Sequence, residues 1–234
     1  MHDITAALAT ALHLVAALDP QMMNIVRLSL LVSGSAVILA ALIGLPLGAA
    51  LALGSFPGRG VVVVLINAFM GLPPVVVGLA VYLLLSRAGP LGPFGLLFTP
   101  TAMVVAQTLL VLPIIAALAR QVVADLWEEY GEQLRSLGAR QPGVTGTLLW
   151  DGRFSLLTAV LAGFGRAAAE VGAVMIVGGN IAGVTRTMTT AIALETSKGD
   201  LPLALGLGLI LIGLVTAVNA AVFMLGRWAK GRMG

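Results

Sequence analysis

Residues 125–139 read Asp-Leu-Trp-Glu-Glu-Tyr-Gly-Glu-Gln-Leu-Arg-Ser-Leu-Gly-Ala and form the centre of a polar segment, residues 120–153, between long apolar runs. This segment holds nine of the 23 charged residues of a 234-residue chain. A soluble protein would distribute its charge over its whole surface. The concentration of charge in one segment therefore indicates that the flanking runs lie in a membrane.

The composition points to the same environment. The chain is 59% hydrophobic and 10% charged, with a mean hydropathy of +1.06, which leaves too little polar surface to cover a water-soluble globule. Lipid offers no hydrogen bonds to a free backbone amide, so a spanning segment must be a helix or part of a closed barrel. The four charge-free runs each exceed the roughly 20 residues that a spanning helix needs, whereas a barrel strand needs only about 10. These runs are 28–58, 60–86, 88–119 and 201–226. The sequence predicts an all-α membrane protein.

The order of apolar segments and helix breakers predicts five spans, near residues 27–53, 61–86, 98–119, 154–178 and 201–226. Pro73–Pro74 and Pro113 are expected to kink the second and third spans. Residues 1–26 form an N-terminal segment. Its predicted helix, near 4–18, is too short to cross the membrane and is expected to lie at the membrane interface. The alternative is a cleaved signal peptide, although the basic residues that begin such a peptide are absent. Residues 27–226 then form the transmembrane domain, and residues 227–234 form a basic tail.

Five spans place the two termini on opposite sides of the membrane. With the tail inside, eight basic residues are cytoplasmic and four are outside, in agreement with the positive-inside rule. The four are Arg27, Arg87, Arg186 and Lys198. We therefore expect a multi-pass protein of the cell (inner or cytoplasmic) membrane with its N-terminus outside and the segment 120–153 in the cytoplasm.

The polar segment contains an amphipathic helical pattern. Leu126, Tyr130, Leu134 and Leu137 recur at spacings of four, four and three, so they share one helix face, and Gly138 stands where a C-cap is expected. A turn is expected at 141–143, followed by a short apolar piece from 144 to 150. The helix could be a connector lying on lipid headgroups or a docking surface. Its acidity favours docking of a cytoplasmic protein, because anionic inner-leaflet lipids attract basic helices.

The run Glu-Gln-Leu-Arg-Ser-Leu-Gly-Ala, residues 132–139, resembles the cytoplasmic signature loop of importer-type ABC transporter permeases, which reads Glu-Ala-Ala, three residues, Gly, and later Ile-x-Leu-Pro. Gln133 and Leu134 replace the two alanines, and Asp151 stands at the proline position. The resemblance implies a type I importer permease whose coupling helix fits a cleft on an ATPase subunit. The residues expected to couple to the ATPase are Glu128, Glu129, Glu132, Leu134, Leu137, Gly138 and Ala139.

Residues 170–200 carry a second resemblance, to permeases for tetrahedral oxyanions. The run Thr-Arg-Thr-Met-Thr-Thr-Ala-Ile-Ala-Leu-Glu-Thr-Ser-Lys-Gly-Asp, residues 185–200, looks most like the tungstate branch. The implied function is a pathway for tungstate, with a molybdate or sulfate importer as the alternative. The implied assembly is a homodimer with two ABC ATPase subunits and a periplasmic or extracytoplasmic solute-binding protein; this chain itself is expected to bind no cofactor.

Residues 170–200 can also be interpreted from their chemistry alone, without the resemblance. The three residues Gly178–Gly179–Asn180 should interrupt the fourth span, and such a break is tolerated against protein or a water-filled cavity. One cation and four hydroxyls follow, which suit brief contact with a dianion, although small polar residues also pack helices together. The expected pathway residues are Gly178, Gly179, Asn180, Thr185, Arg186, Thr187, Thr189 and Thr190. Arg166 and Glu170, four apart in the fourth span, are expected to form an intramembrane ion pair, with a direct role in transport as the alternative.

Two other classes of function fit the sequence less well. A membrane enzyme would need a catalytic or metal constellation, but the chain has no cysteine, and its two histidines, His2 and His13, lie outside any metal-ligand spacing. No metal site and no nucleic-acid partner are expected. The chain lacks a phosphate-binding Gly-x-x-x-x-Gly-Lys-Ser/Thr loop, so ATP hydrolysis must come from a separate chain. A secondary transporter would usually need more spans and a coupling carboxylate.

Overall fold

The computed structural model describes residues 2–138 and 141–233, and side chains within these ranges except those of 2–4, 141–142 and 225–233. Within this described part the chain is helical and contains no strand. The helices are α1 (His2–Ala16), α2 (Pro20–Leu53), α3 (Arg59–Phe69), α4 (Pro74–Leu85), α5 (Pro100–Ser136), α6 (Gln141–Asp151), α7 (Arg153–Ala168), α8 (Gly172–Gly178), α9 (Met188–Lys198) and α10 (Leu201–Met233), with a short 3-10 helix at Gly92–Phe94.

Three of the helices, α2, α5 and α10, are long and apolar enough to cross a membrane by themselves. Two bent pairs, α3 with α4 and α7 with α8, bring the number of spans to five if each pair crosses once. The expected all-α membrane fold with about five spans is thus confirmed. Pro73 accounts for the first bend: the residue before a proline is pushed out of the helical region, and Pro73 has φ −63° and ψ 122°. Pro74 then begins α4, where its missing amide costs nothing.

By its internal contacts the chain divides into two compact units. Unit 1 comprises Met1–Ala36, Pro73–Gln107 and Ala167–Ala221, and unit 2 comprises Val37–Leu72, Thr108–Arg166 and Val222–Gly234. Helices α2, α5 and α10 contribute residues to both units.

The core of unit 1 joins α2, α9 and α10. It is formed by the buried side chains of Met22, Ile25, Met188, Ala191 and Leu207. Helix α1 packs against this core through Leu14 and Val15, while its Leu8 and Leu12 are exposed. A helix therefore does form in the N-terminal segment, and its interfacial location stays a prediction.

Helices α4 and α8 approach each other closely in unit 1. A Cβ atom added to Gly78 would lie 2.8 Å from the Cα of Ala173. Since real Cβ atoms do not come so close to backbone, the two helices can pack at this distance only while residue 78 is glycine.

The core of unit 2 joins α2, α5 and α6. Its fully buried members are Ala49, Val123, Val144 and Leu148, surrounded by half-buried side chains that include Trp127 and Leu134. Each large aliphatic side chain buried in this way stabilises the packing by about 1.5–3 kcal/mol.

Two expected helix boundaries are wrong, and the limits of the membrane along each helix stay a prediction. The helix that contains the first span begins at Pro20, because Asp19 caps it: an Oδ1 of Asp19 accepts a hydrogen bond from the Met22 amide at 2.9 Å. The helix that contains the third span does not end near Ala119 but continues into the polar segment as far as Ser136, since charged side chains leave the backbone hydrogen bonds of a helix intact. The helix also continues through Pro113. The turn expected at 141–143 is the start of α6.

Candidate functional site

The α5–α6 hairpin, residues 125–151 apart from 139–140, carries the predicted docking surface. On one side of α5, Leu126, Trp127 and Leu134 pack onto the unit 2 core. On its other side the predicted coupling acids Glu128, Glu129 and Glu132 are all exposed. The separation of apolar and acidic faces that the sequence predicted is thus confirmed for this part of the helix.

The predicted apolar face is not buried at two of its four residues, Tyr130 and Leu137. Tyr130 is 37% exposed, and Leu137 is 81% exposed because it follows the last helical residue, Ser136. Gly138 has φ +71°, a left-handed conformation that glycine adopts without strain, and its amide donates to the Arg135 carbonyl oxygen at 3.0 Å. The expected end of the helix at Gly138 is confirmed. The predicted coupling residue Ala139 lies outside the described residues.

The fourth span contains a break, residues 169–171, that the sequence analysis did not place. Glu170 is 3% exposed, and its Oε1 accepts a hydrogen bond from the Ala173 amide at 2.9 Å, so it caps the start of α8. The hydroxyl of Thr189 donates to the Glu170 carbonyl oxygen at 2.7 Å, and Gln107 Nε2 donates to the Ala167 carbonyl oxygen at 3.1 Å. Side chains from other helices thus satisfy backbone groups that the break leaves without helical partners. The pairing of Arg166 with Glu170 stays a prediction.

The connecting loop, residues 179–187, begins where the sequence predicted an interruption. Helix α8 ends at Gly178, and both Gly179 (φ 70°) and Asn180 (φ 50°) are left-handed. Asn180 Nδ2 donates to the Thr190 carbonyl oxygen at 3.4 Å. The predicted interruption is confirmed, and its contact with a passing solute stays a prediction.

Most of the predicted pathway threonines shape this loop. The Thr185 hydroxyl is fully buried, donates to the Gly178 carbonyl oxygen and accepts from the Ile181 amide at 2.9 Å. Thr187 and Thr190 form the capping box of α9: the Thr187 amide donates to the Thr190 hydroxyl at 3.0 Å. These three hydroxyls are engaged with the loop and the start of α9.

Arg186 is placed differently from the threonines. Its Nη1 lies 3.7 Å from Oε1 of Glu195, a carboxylate that also accepts a hydrogen bond from Lys198 Nζ at 3.0 Å. The Arg186 side chain is 15% exposed, and its Nε is buried without a hydrogen-bond partner. Arg186 also lines a cavity of about 400 Å³ within unit 1.

Comparison with known proteins decides the family. No protein-family model matches the chain. It is 43% identical over 204 residues to a probable anion ABC transporter permease protein of Haloferax volcanii, covering 85% of this chain and 88% of that protein. It is 40% identical over 225 residues to a tungstate uptake system permease protein of Peptoclostridium acidaminophilum, covering 96% and 99%. This chain belongs to the ABC transporter permease family.

Other members of the permease family are more distant. A molybdenum transport system permease protein of Mycobacterium bovis is 31% identical over 229 residues, which is 92% of this permease and 82% of that protein. The resemblance to oxyanion permeases of the tungstate type, drawn from residues 132–139 and 170–200, is confirmed by these relatives. The names of these relatives also support the expectation that the chain is a transport subunit rather than an enzyme.

The remaining walls of the Arg186 cavity were not predicted from the sequence. They include the polar residues Gln21, Asn24 and Arg27 at the start of α2, and Gly183 in the connecting loop. The spacing of three between these α2 residues is a detectable signal, since it places them on successive turns. Their proximity to Arg186 could not be read from the sequence because the two walls lie about 160 residues apart.

Proposed function

We propose that this permease forms the translocation pathway of an ATP-driven tungstate importer. The observation that supports this proposal most strongly is the 40% identity to a tungstate uptake permease over 96% of the chain. Matching permeases named for molybdenum and sulfate are 31% identical or less, so molybdate and sulfate are weaker candidates.

The assembly that we propose is a homodimer with two ABC ATPase subunits and an extracytoplasmic solute-binding protein. The chain has no phosphate-binding loop with which to hydrolyse ATP, and five spans suit a pathway shared between two copies. ATP hydrolysis therefore belongs to the ATPase chains, and first capture of the anion belongs to the binding protein.

The location follows from the distribution of basic residues. We propose the inner membrane, with the N-terminus outside and the α5–α6 hairpin and basic tail in the cytoplasm. Because the chain has no native cysteine, a single Leu137→Cys substitution introduces a unique thiol at an exposed position. An impermeant maleimide should label it in inverted membrane vesicles stripped of the ATPase and not in intact cells. Labelling in intact cells would reverse the orientation.

In this proposal the exposed end of the hairpin docks on the ATPase. Three exposed acids lie on the last turns of α5, and the exposed apolar side chain of Leu137 comes directly before the left-handed turn at Gly138. An apolar side chain at 81% exposure within an acidic surface is typical of a contact that a partner covers. Leu134 is half-buried against α6, so it supports this surface from beneath.

For the pathway we propose two kinds of role. Arg186 supplies positive charge close to the passing anion, whereas the Thr189 hydroxyl, which donates to the Glu170 carbonyl oxygen, holds the break in the fourth span. The backbone break at Gly178–Asn180 and the hydroxyls of Thr185, Thr187 and Thr190 hold the connecting loop in shape. Arg166 and Glu170 act as an ion pair at the break in the fourth span.

Substitution of Gly138 tests the docking surface. Gly138→Glu should abolish co-purification of the ATPase and ATP-dependent tungstate uptake, because it adds charge and bulk at the turn. Gly138→Ala tests only the cost of a left-handed backbone at a residue other than glycine, since the added Cβ has no atom within 4 Å. This variant should retain most of the uptake. Gly60→Glu adds the same charge at an open, exposed position of α3 and serves as the control. Normal uptake with Gly138→Glu would exclude docking at this turn.

A further inference from the structure

The cavity in unit 1 brings together two arginines that are far apart in the chain. Arg27, on α2, and Arg186, at the end of the connecting loop, both line it, together with Gln21 and Asn24. We propose that this cavity is a binding site for a free tetrahedral oxyanion of charge −2, with Arg27 and Arg186 as its two cationic ligands. The identity of the anion as the transported substrate rests on the proposed function.

The balance of charge supports a dianion. Arg27 has no carboxylate partner among the described residues, so its positive charge is uncompensated. On the opposite wall, Arg186 lies beside Glu195, whose carboxylate is also bound by Lys198, and neither Glu195 nor Lys198 lines the cavity. Asp19, which caps α2 through the Met22 amide, does not line the cavity either, so its lining residues carry two positive charges and no negative one. The net charge of +2 would be neutralised by one dianion.

The hydrogen-bonding groups match the same ligand. A guanidinium offers several N–H donors that suit the oxygens of a tetrahedral anion. The Arg186 Nε is buried and unpaired, so this donor is left unsatisfied by the protein itself. Gln21 and Asn24 also line the α2 wall, and their side-chain amides are neutral donors of the kind that an oxyanion accepts from.

A hydrogen bond holds the two walls together. The Met188 amide, two residues after Arg186, donates to the hydroxyl of Ser29, two residues after Arg27, at 2.7 Å. Both ends of this bond are buried. The backbone positions of the two arginines are therefore fixed relative to each other before an anion enters, which lowers the entropic cost of binding.

The size of the cavity suggests a transient site. At about 400 Å³ it falls in the range of small-molecule pockets and exceeds what a bare oxyanion fills, so the anion would keep part of its hydration. Partial hydration weakens binding and lets the anion leave, as a transport pathway requires.

The experiment measures binding of sodium tungstate to the assembled permease–ATPase complex without the binding protein. The complex is reconstituted in phosphatidylcholine nanodiscs, and bound tungsten is determined by equilibrium dialysis and mass spectrometry. Arg27→Gln and Arg186→Gln should each weaken binding about tenfold or more, since each removes charge-assisted hydrogen bonds. Arg87→Gln, an exposed arginine of unit 1 outside the cavity, should leave binding unchanged.

Each remaining outcome bears on the proposal. Arg27 is exposed, so its variant should fold even if Arg186→Gln does not, and unchanged binding by folded Arg27→Gln would overturn the site.

The phosphate group of a phospholipid is also a tetrahedral anion and could occupy the same cavity. Loss of tungstate binding on changing to phosphatidylglycerol nanodiscs would assign the cavity to lipid headgroups and overturn a free-anion site. If the complex takes up tungstate with ATP but neither arginine variant changes binding, this inference is refuted and the proposed function stands. If binding depends on the arginines but no uptake occurs, the binding site stands and the proposed function is refuted.

Discussion

Replacing Ser29 by alanine should destabilise unit 1 by about 1–2 kcal/mol. The Ser29 hydroxyl is 7% exposed, accepts from the Met188 amide at 2.7 Å and donates to the Ile25 carbonyl oxygen at 2.9 Å. Alanine leaves the Met188 amide buried without an acceptor, which costs about 1–3 kcal/mol. The higher helix propensity of alanine offsets about 0.5 kcal/mol, so the middle of that range, about 2 kcal/mol, leaves a net cost of about 1–2 kcal/mol. For a chain of this length, the net change should lower the melting temperature by roughly 2–8 °C.

The assay must report on unit 1. All three tryptophans belong to unit 2, so intrinsic fluorescence would follow the wrong unit. Because the chain has no cysteine, Ala191→Cys places a unique and fully buried thiol in unit 1, and a thiol-reactive dye then records its exposure on heating. Ser35→Ala in the same helix is the matched control, since Ser35 makes no side-chain hydrogen bond within the described residues and gains only the helix propensity.

The comparison of the two serine variants decides the result. If Ser29→Ala and Ser35→Ala melt at the same temperature, the bond between α2 and α9 contributes nothing. The structural link between the two arginines of the cavity would then be refuted.

Further predictions concern packing and docking. Gly78→Ala should lower the melting temperature of unit 1, because the added Cβ overpacks against Ala173 at a cost of about 1–3 kcal/mol. Gly208→Ala, whose Cβ has nothing within 4 Å, is the control and should raise the melting temperature. Equal shifts for the two variants would contradict the close approach of α4 and α8. Leu148→Ala, in the fully buried core of unit 2, should cost about 2–5 kcal/mol, measured by tryptophan fluorescence on heating. Leu137→Ala should change stability by less than about 0.5 kcal/mol yet reduce capture of the ATPase; unchanged capture would remove Leu137 from the docking surface.

Local backbone chemistry was predictable from the sequence. Pro73–Pro74 broke the second span, Gly178–Asn180 ended α8, and Gly138 ended the helical part of the hairpin. In each case the residue type itself restricts or frees the backbone, so no knowledge of distant contacts was needed.

The features that the sequence analysis missed depend on contacts between distant segments. The break at 169–171 contains no proline, and its carbonyl groups are satisfied by Gln107 and Thr189 from other helices. Arg27 carried only a topological signal in the sequence, and its position beside Arg186 follows from the packing of α2 on α9. The continuation of α5 was missed because a change from apolar to charged residues resembles the end of a span while leaving the helix unbroken.

The central claim is tested most directly by tungstate uptake into proteoliposomes that contain this chain and its ATPase, with the solute-binding protein added outside and ATP enclosed within. We predict uptake that stops when ATP, the ATPase or the binding protein is omitted. Uptake by this chain alone, driven by an ion gradient and indifferent to ATP, would contradict the account.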